Sequence, residues 1–403
     1  MGFFKSKKDK PAKVTASSGK KSAGVNRQAS HYSELVTSKQ KSGKFDDVYI
    51  THKLLGSGAF ADVFSCTHKK SDAKFAVKKI KKKVNLPGAN SHTKYTDTFE
   101  SELRINTMLN HKHIVNLIEV YELPKLCLVF DFCESGDLFD QIEKMTKYTE
   151  ANAASYIQQM CTALAYMHEK GVVHRDLKPE NLLLAKDPED PSSNIIKIGD
   201  FGLSVEVDDK GFTQGTAGSP DYIAPEILAK KQYTTKVDAW STGIILFILI
   251  AGYPPFENRE EIRAGKVIFY FEDWENTSEE VRMLIVKLLC LNMNKRLSCK
   301  QILEDAWVVK HTGVTPPEDL MDMSRAKANI KKFNAKRKFK GAVKSVMASN
   351  AMYKLLGRGS ISQTSPPPAY SSSNQKNFIG NSYVSRQNNK TMNESIFEQQ
   401  DSE

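Results

Sequence analysis

His174-Arg175-Asp176-Leu177-Lys178-Pro179-Glu180-Asn181 is the stretch on which the reading of this chain turns. Asp200-Phe201-Gly202 and then Ala224-Pro225-Glu226 follow it in that order. Eight specified positions do not assemble by chance with two further motifs at sensible distances.

Upstream, Leu55-Gly56-Ser57-Gly58-Ala59-Phe60-Ala61-Asp62-Val63 lies between two strand-like runs, Tyr49–Leu54 and Val63–Thr67. Its two leading glycines let the backbone turn tightly and approach phosphate oxygens. A Gly-rich hairpin by itself is usually only a turn, but Phe75-Ala76-Val77-Lys78 follows as a strand that would bring one ammonium to the same phosphates. A buried lysine needs a partner. The helical stretch Phe99–Leu109 supplies Glu100 and Glu102; Glu100 reads as a solvated helix residue, and Glu102, before Leu103-Arg104-Ile105, is the candidate.

The segment from about Tyr49 to Trp307 thereby resembles the eukaryotic protein kinase catalytic domain. The resemblance implies an α/β (α+β) two-lobed fold that uses ATP and Mg²⁺. It implies that Asp176 accepts the proton of the substrate hydroxyl, that Lys178 steadies the transferring phosphoryl group and marks the Ser/Thr branch, and that Asn181 and Asp200 hold Mg²⁺. Lys78 with Glu102 positions the phosphates, and Leu55 through Val63 cover them. These residue types suit the chemistry: phosphoryl transfer spreads charge over oxygens, and a hard cation takes oxygen ligands. One departure from the family pattern is Ala61, where a third glycine is usual.

Further roles follow from the same resemblance. Phe130 becomes the gatekeeper, and the backbone of Asp131 and Cys133 the adenine-contacting hinge. Asp137 and Glu180 match acidic positions that hold Arg or Lys of a substrate, and Ser219 takes the place that contacts the catalytic loop. The regulatory threonine position falls on Gly215, which leaves Arg175 without its customary phosphate partner; Thr213 and Thr216 are the nearby hydroxyls. Arg296 should pair with Glu226, and Asn292-Met293 stands where Asp-Pro is common, which should weaken a turn.

The 403 residues and their 40% hydrophobic content suffice for a substantial core, and no run of about 18 apolar residues is present to cross a bilayer. Six cysteines from Cys66 to Cys299 show neither paired nor metal-ligand spacing, which points to a reducing, cytoplasmic setting. The net charge of +11 is unevenly placed: residues 1–44 hold +9 and residues 324–358 hold +11, leaving an acidic body. That separation argues against a continuous nucleic-acid surface, and no nucleic-acid module is recognisable.

Residues 1–44 read as a disordered basic arm, 45–310 as the kinase domain, 311–358 as a regulatory segment and 359–403 as a Ser/Asn/Gln-rich tail. The proline-free stretch Ser324–Leu356 predicts a long basic helix. Phe339, Val343, Val346 and Met347 form one apolar face, and Met352 lies thirteen residues beyond Phe339. Its place after a kinase domain resembles the regulatory segment of calcium/calmodulin-dependent protein kinases, which implies autoinhibition and capture by calcium-loaded calmodulin. The segment from about Pro316 to Asn334 is then expected to lie on the acidic body. A helix packed on the body with no partner, or one lying on an anionic membrane, is the alternative. No EF-hand loop pattern occurs in the chain, so calcium sensing would belong to another protein.

At the start, Gly2 with Ser6 fits the myristoylation pattern, and the lysines that follow would complete a two-signal membrane anchor. An unmodified arm is the alternative. Pro367-Pro368-Ala369-Tyr370 fits a WW-domain ligand. A different class of function, a catalytically silent nucleotide-binding scaffold, is disfavoured by the intact Lys78, Asp176 and Asp200.

Overall fold

The computed structural model describes residues 38–58, 61–81, 101–122, 126–190, 193–312 and 323–355, with side chains in the last run as far as residue 343. In the smaller lobe, runs of β-branched and aromatic residues form strands β1 (Tyr49–Ser57), β2 (Ala61–His68), β3 (Lys74–Ile80), β4 (Leu117–Tyr121) and β5 (Cys127–Asp131). They make one antiparallel sheet in the order β1-β2-β3-β5-β4. Side chains alternate across a strand, and this alternation sorts the lobe. Val77 and Val129 join Phe45, Tyr49, Cys66, Tyr121 and Cys127 in a core on one face. Lys78, opposite Leu128 in the register, falls on the other face, where Leu103 of the helix over residues 101–108 packs on Leu117, Val120 and Leu128.

Residues 39–41, read from sequence as part of a disordered arm, lie instead against β4. Gln40 pairs in parallel with Val120, the Lys41 amide donates to the Val120 carbonyl at 2.9 Å, and the Lys39 ammonium donates to the Leu117 carbonyl. The cause is the edge position of β4, whose outer backbone groups need partners.

The larger lobe is built around the helix Lys236–Ala251, whose residues are buried on every side. The helix Glu150–Glu169 packs on it, its first turn closed by a capping box in which the Thr149 and Asn152 side chains serve each other's backbone amides. Two small antiparallel pairs lie at the mouth of this lobe, β6 (Val172–Val173) with β9 (Val205–Glu206) and β7 (Leu182–Lys186) with β8 (Asn194–Ile198). They hold residues 174–181 and 199–204 as adjacent loops. None of the six cysteines is in a disulfide, and among the described residues no helix is long and apolar enough to cross a membrane.

Arg296 donates to both Glu226 oxygens, at 2.6 and 3.0 Å, as expected. The turn at Asn292 is hydrogen-bonded: its side-chain oxygen accepts from the Asn294 amide at 3.0 Å and its carbonyl from the Arg296 amide at 3.0 Å.

The last element is the helix Ser324–Leu355. Its docked face is not the one containing Phe339. Met323, Ala326 and Ile330 are buried at its start, and Phe333 packs beside Phe139. Gly252, in the left-handed region at φ +81°, makes room for it, because a Cβ there would lie 2.3 Å from Asn329 Cβ and 2.5 Å from the Ala326 carbonyl oxygen. The expected docking up to Asn334 is present from Met323 onward and continues to Lys340; residues 313–322 lie outside those described.

Candidate active site

The loop over residues 174–181 is tied from beneath by Asp238 of the buried helix. Its two oxygens accept from the His174 amide at 2.9 Å and the Arg175 amide at 3.0 Å, while His168 reaches it at 2.8 Å. Burial alone would push the Asp238 carboxyl up, but the bonds and charge of His168 and His174 hold it below the usual range. Burial likewise opposes charge on His168, yet the Cys299 sulfur and Asp238 raise it to about 10. His174 joins this loop to the next: its ring contacts the Gly199 carbonyl at 3.1 Å and packs edge-on against Phe201.

On that foundation Asp176 is buried and its carboxylate is fully employed. One oxygen accepts from the Ser219 amide at 2.9 Å and hydroxyl at 2.7 Å, and the other from the Lys178 ammonium at 2.5 Å. Lys178 also reaches the Ser219 hydroxyl at 3.3 Å. Carboxylate, ammonium and the serine of the following segment therefore converge. Asn181 donates to the Asp176 carbonyl at 2.8 Å, and its amide oxygen accepts no hydrogen bond among the described residues. Asp200 is exposed and held at φ +62°, with no ion pair or hydrogen bond among the described residues. An amide oxygen and an uncommitted carboxylate are hard donors, and they fit Mg²⁺.

Across the cleft, Lys78 is joined to Glu102 by a salt bridge. Glu102 also faces the Asp200 loop, since a Cβ on Gly202 would come within 3.7 Å of its carboxylate. The glycine-rich turn is steadied by a group not singled out from sequence. Lys81 pairs with Asp62 at 2.8 Å and donates to the Gly58 carbonyl at 2.8 Å, and Ser57 donates to Asp62 at 2.5 Å. These bonds pull the Asp62 carboxyl below its ordinary value. Leu55, Gly56 and Val63 lie in the paired strands; Ala59 and Phe60 lie outside the described residues. The Asp131 carboxylate is taken up by Lys197 at 2.8 Å and the Asn116 amide at 3.2 Å, and its own amide donates to the Asn116 carbonyl at 3.1 Å, which leaves its backbone carbonyl for the hinge role. Cys133 is half-buried on the same connection, and burial pushes its thiol up to about 12.

The acids expected to read a basic substrate are already met by a cation of the chain itself. Arg337 of the C-terminal helix, its side chain 10% exposed, lies 3.0 Å from Asp137, 3.4 Å from Asp140 and 3.8 Å from Glu180. Lys338 adds a pair with Asp140 at 2.9 Å, and Lys340 lies 3.8 Å from Asp221, two residues after Ser219. Asp140, Asp221 and Arg337 carry no local signal that separates them from ordinary surface charges.

Phe339 is 71% exposed and Val343 41%. Val346, Met347 and Met352 lie outside the described side chains, and Gly2, Glu100 and Pro367-Tyr370 outside the described residues.

Comparison with known proteins agrees with this geometry. Residues 49–308 match the protein kinase domain. The chain is 38% identical over 316 residues to the calcium/calmodulin-dependent protein kinase type II of Caenorhabditis elegans, covering 76% of this chain and 42% of that one. It is 36% identical over 331 residues to the type II alpha chain of Drosophila melanogaster, covering 79% and 60%. Against the calcium/calmodulin-dependent protein kinase type 1 of Macrobrachium nipponense it is 40% identical over 270 residues, covering 65% and 75%. The chain thus spans about half the length of the type II relatives it matches. With an unbroken domain match, a complete catalytic constellation and this level of identity, the chain belongs to the protein kinase family, in its calcium/calmodulin-dependent branch.

Proposed function

We propose that this chain is an ATP-dependent protein serine/threonine kinase, held off by its own C-terminal helix and released by calcium-loaded calmodulin. In the transfer, Asp176 accepts the proton of a Ser or Thr hydroxyl as that oxygen attacks the γ-phosphorus of ATP, and the bond to the ADP oxygen breaks. Lys178 offsets charge on the transferred group, and Lys78, oriented by Glu102, holds phosphate oxygens. Asn181 and Asp200 would hold Mg²⁺, whose charge offsets that developing on the phosphates. The observation that carries the regulatory part is Arg337 among Asp137, Asp140 and Glu180, which fills the acidic surface a basic substrate would need. Exposed Phe339 and Val343 leave an apolar grip for a calmodulin lobe.

The test is phosphate transfer to a peptide with Arg on the N-terminal side of its Ser, with and without calcium and calmodulin. Strong stimulation by the pair is expected. Equal activity with calcium chelated removes the switch and leaves the kinase; no transfer under any condition favours the silent scaffold.

A further inference from the structure

Gly215 offers Arg175 no hydroxyl to phosphorylate, but Arg175 is not left unpaired. Its Nη1 donates to the Tyr233 hydroxyl at 3.0 Å, and its Nε to the Leu203 carbonyl at 2.7 Å. The Tyr233 hydroxyl in turn donates to the Gly215 carbonyl at 3.0 Å. One proton given and one lone pair used fix the direction of this relay. Tyr233 is wholly buried, and its backbone exchanges two hydrogen bonds with Thr213, at 2.8 and 2.9 Å. A Cβ on Gly215 would stand 3.7 Å from Arg175 Nη1, so the position without a side chain faces this guanidinium.

The consequences run to the reacting groups. Gly218, at φ +114°, packs so tightly on the Arg175 carbonyl that a Cβ would approach it to 2.5 Å, and Ser219 beside it bonds Asp176. The segment is therefore pinned to the catalytic loop at Leu203, at Gly215 and at 218–219, and the middle pin passes through one phenol.

We propose that Tyr233 is a positioning residue that does with a neutral hydroxyl what a phosphate on the activation segment would otherwise do, holding Arg175 to Gly215 so that Ser219 stays on Asp176. The inference rests on the kinase reading above. It explains how a segment with glycine at the regulatory position is ordered without prior phosphorylation. The thermodynamic form is a bond that favours the ordered segment over alternatives.

The experiment compares the full-length chain with Tyr233→Phe after phosphatase treatment of both, under the condition of highest wild-type activity. We expect kcat to fall roughly tenfold, the scale of one hydrogen bond to a charged group, with KM for ATP within about twofold because the nucleotide-facing groups lie elsewhere. Amide hydrogen exchange over residues 213–219 should accelerate even without substrate. In an Arg175→Met background, Tyr233→Phe should cost little more, since both remove the same link. Unchanged kcat, losses that simply add, or failure of Tyr233→Phe to fold would each overturn the proposal, the last by making the hydroxyl a core-stability group. Absence of phosphotransfer in the wild-type chain defeats the kinase reading instead, and the exchange measurement still decides this one.

Discussion

Arg337 and Asp137 are separated by 200 positions in the chain, yet the guanidinium nitrogen Nη2 lies 3.1 and 3.0 Å from the two carboxylate oxygens. Asp137 also caps the helix Leu138–Lys144 by accepting from the Asp140 amide, so its carboxylate is fixed before the arginine arrives. The guanidinium is the largely desolvated member of this group, its side chain 10% exposed, while Asp137, Asp140 and Glu180 keep contact with solvent; removing the acids would leave a nearly buried cation without compensation, whereas removing the arginine leaves acids that water can still reach. On the function proposed above, release of the helix would free those acids for the basic side chain of a substrate.

Arg337→Ala should therefore raise activity measured with calcium chelated, by roughly tenfold or more. Thermal unfolding and peptide phosphorylation of the same preparation separate release from misfolding. A folded variant with unchanged calcium-independent activity would show that the arginine does not hold the helix.

Phe339 contributes little to docking, because most of its surface is exposed. Phe339→Asp should leave basal activity low while weakening calmodulin binding by about 2 kcal/mol or more, the value of burying one aromatic side chain. Isothermal titration with calcium present gives the affinity. A wild-type titration curve would assign the grip to other residues.

Asp176→Asn replaces the proposed proton acceptor by an amide and keeps the shape that Ser219 and Lys178 contact. We expect turnover to drop about 10²–10⁴-fold, with nucleotide affinity kept when followed by a fluorescent ATP analogue. Lys78→Met should impair the nucleotide side as well. Near-normal turnover in Asp176→Asn contradicts the assignment.

The His168–Asp238 pair gives a pH signature. The folded value of His168 is raised from 6.5 to about 10, so its contribution to stability is complete below 6.5 and lost as the pH climbs through about 10. Asp238 is lowered, so its contribution holds above 3.8 and is lost as the pH falls through its folded value. His168→Gln should accordingly lower the unfolding midpoint most near pH 6, with the difference from wild type shrinking toward pH 10. A difference that stays constant across that range would mean the histidine acts by packing alone.

Much of this site is legible in the one-dimensional chain because phosphoryl transfer needs fixed residue types at short, fixed spacings. Asp176, Lys178 and Asn181 lie on one loop; Asp200 with Gly202, and Lys78 within its strand, carry similarly compact signals. Alternation along β3 also places Val77 and Lys78 on opposite faces before any coordinates are known. The long basic helix announces itself by composition and by the absence of proline.

What only the tertiary structure decided is which of many equivalent charges and faces are used. The C-terminal segment carries eleven cations, and no local pattern marks Arg337 as the one to be buried against Asp137, Asp140 and Glu180. Helical spacing shows that Phe339 and Val343 share a face but not that Met323, Ala326 and Ile330 dock while that face stays in solvent. Residues 39–41 look like arm until the edge of β4 supplies their partners, and Gly215 takes from Arg175 its customary phosphate partner until Tyr233 is brought beside it. In each case the deciding contact joins residues far apart in sequence, and its energy depends on burial and direction, which periodicity and composition do not encode.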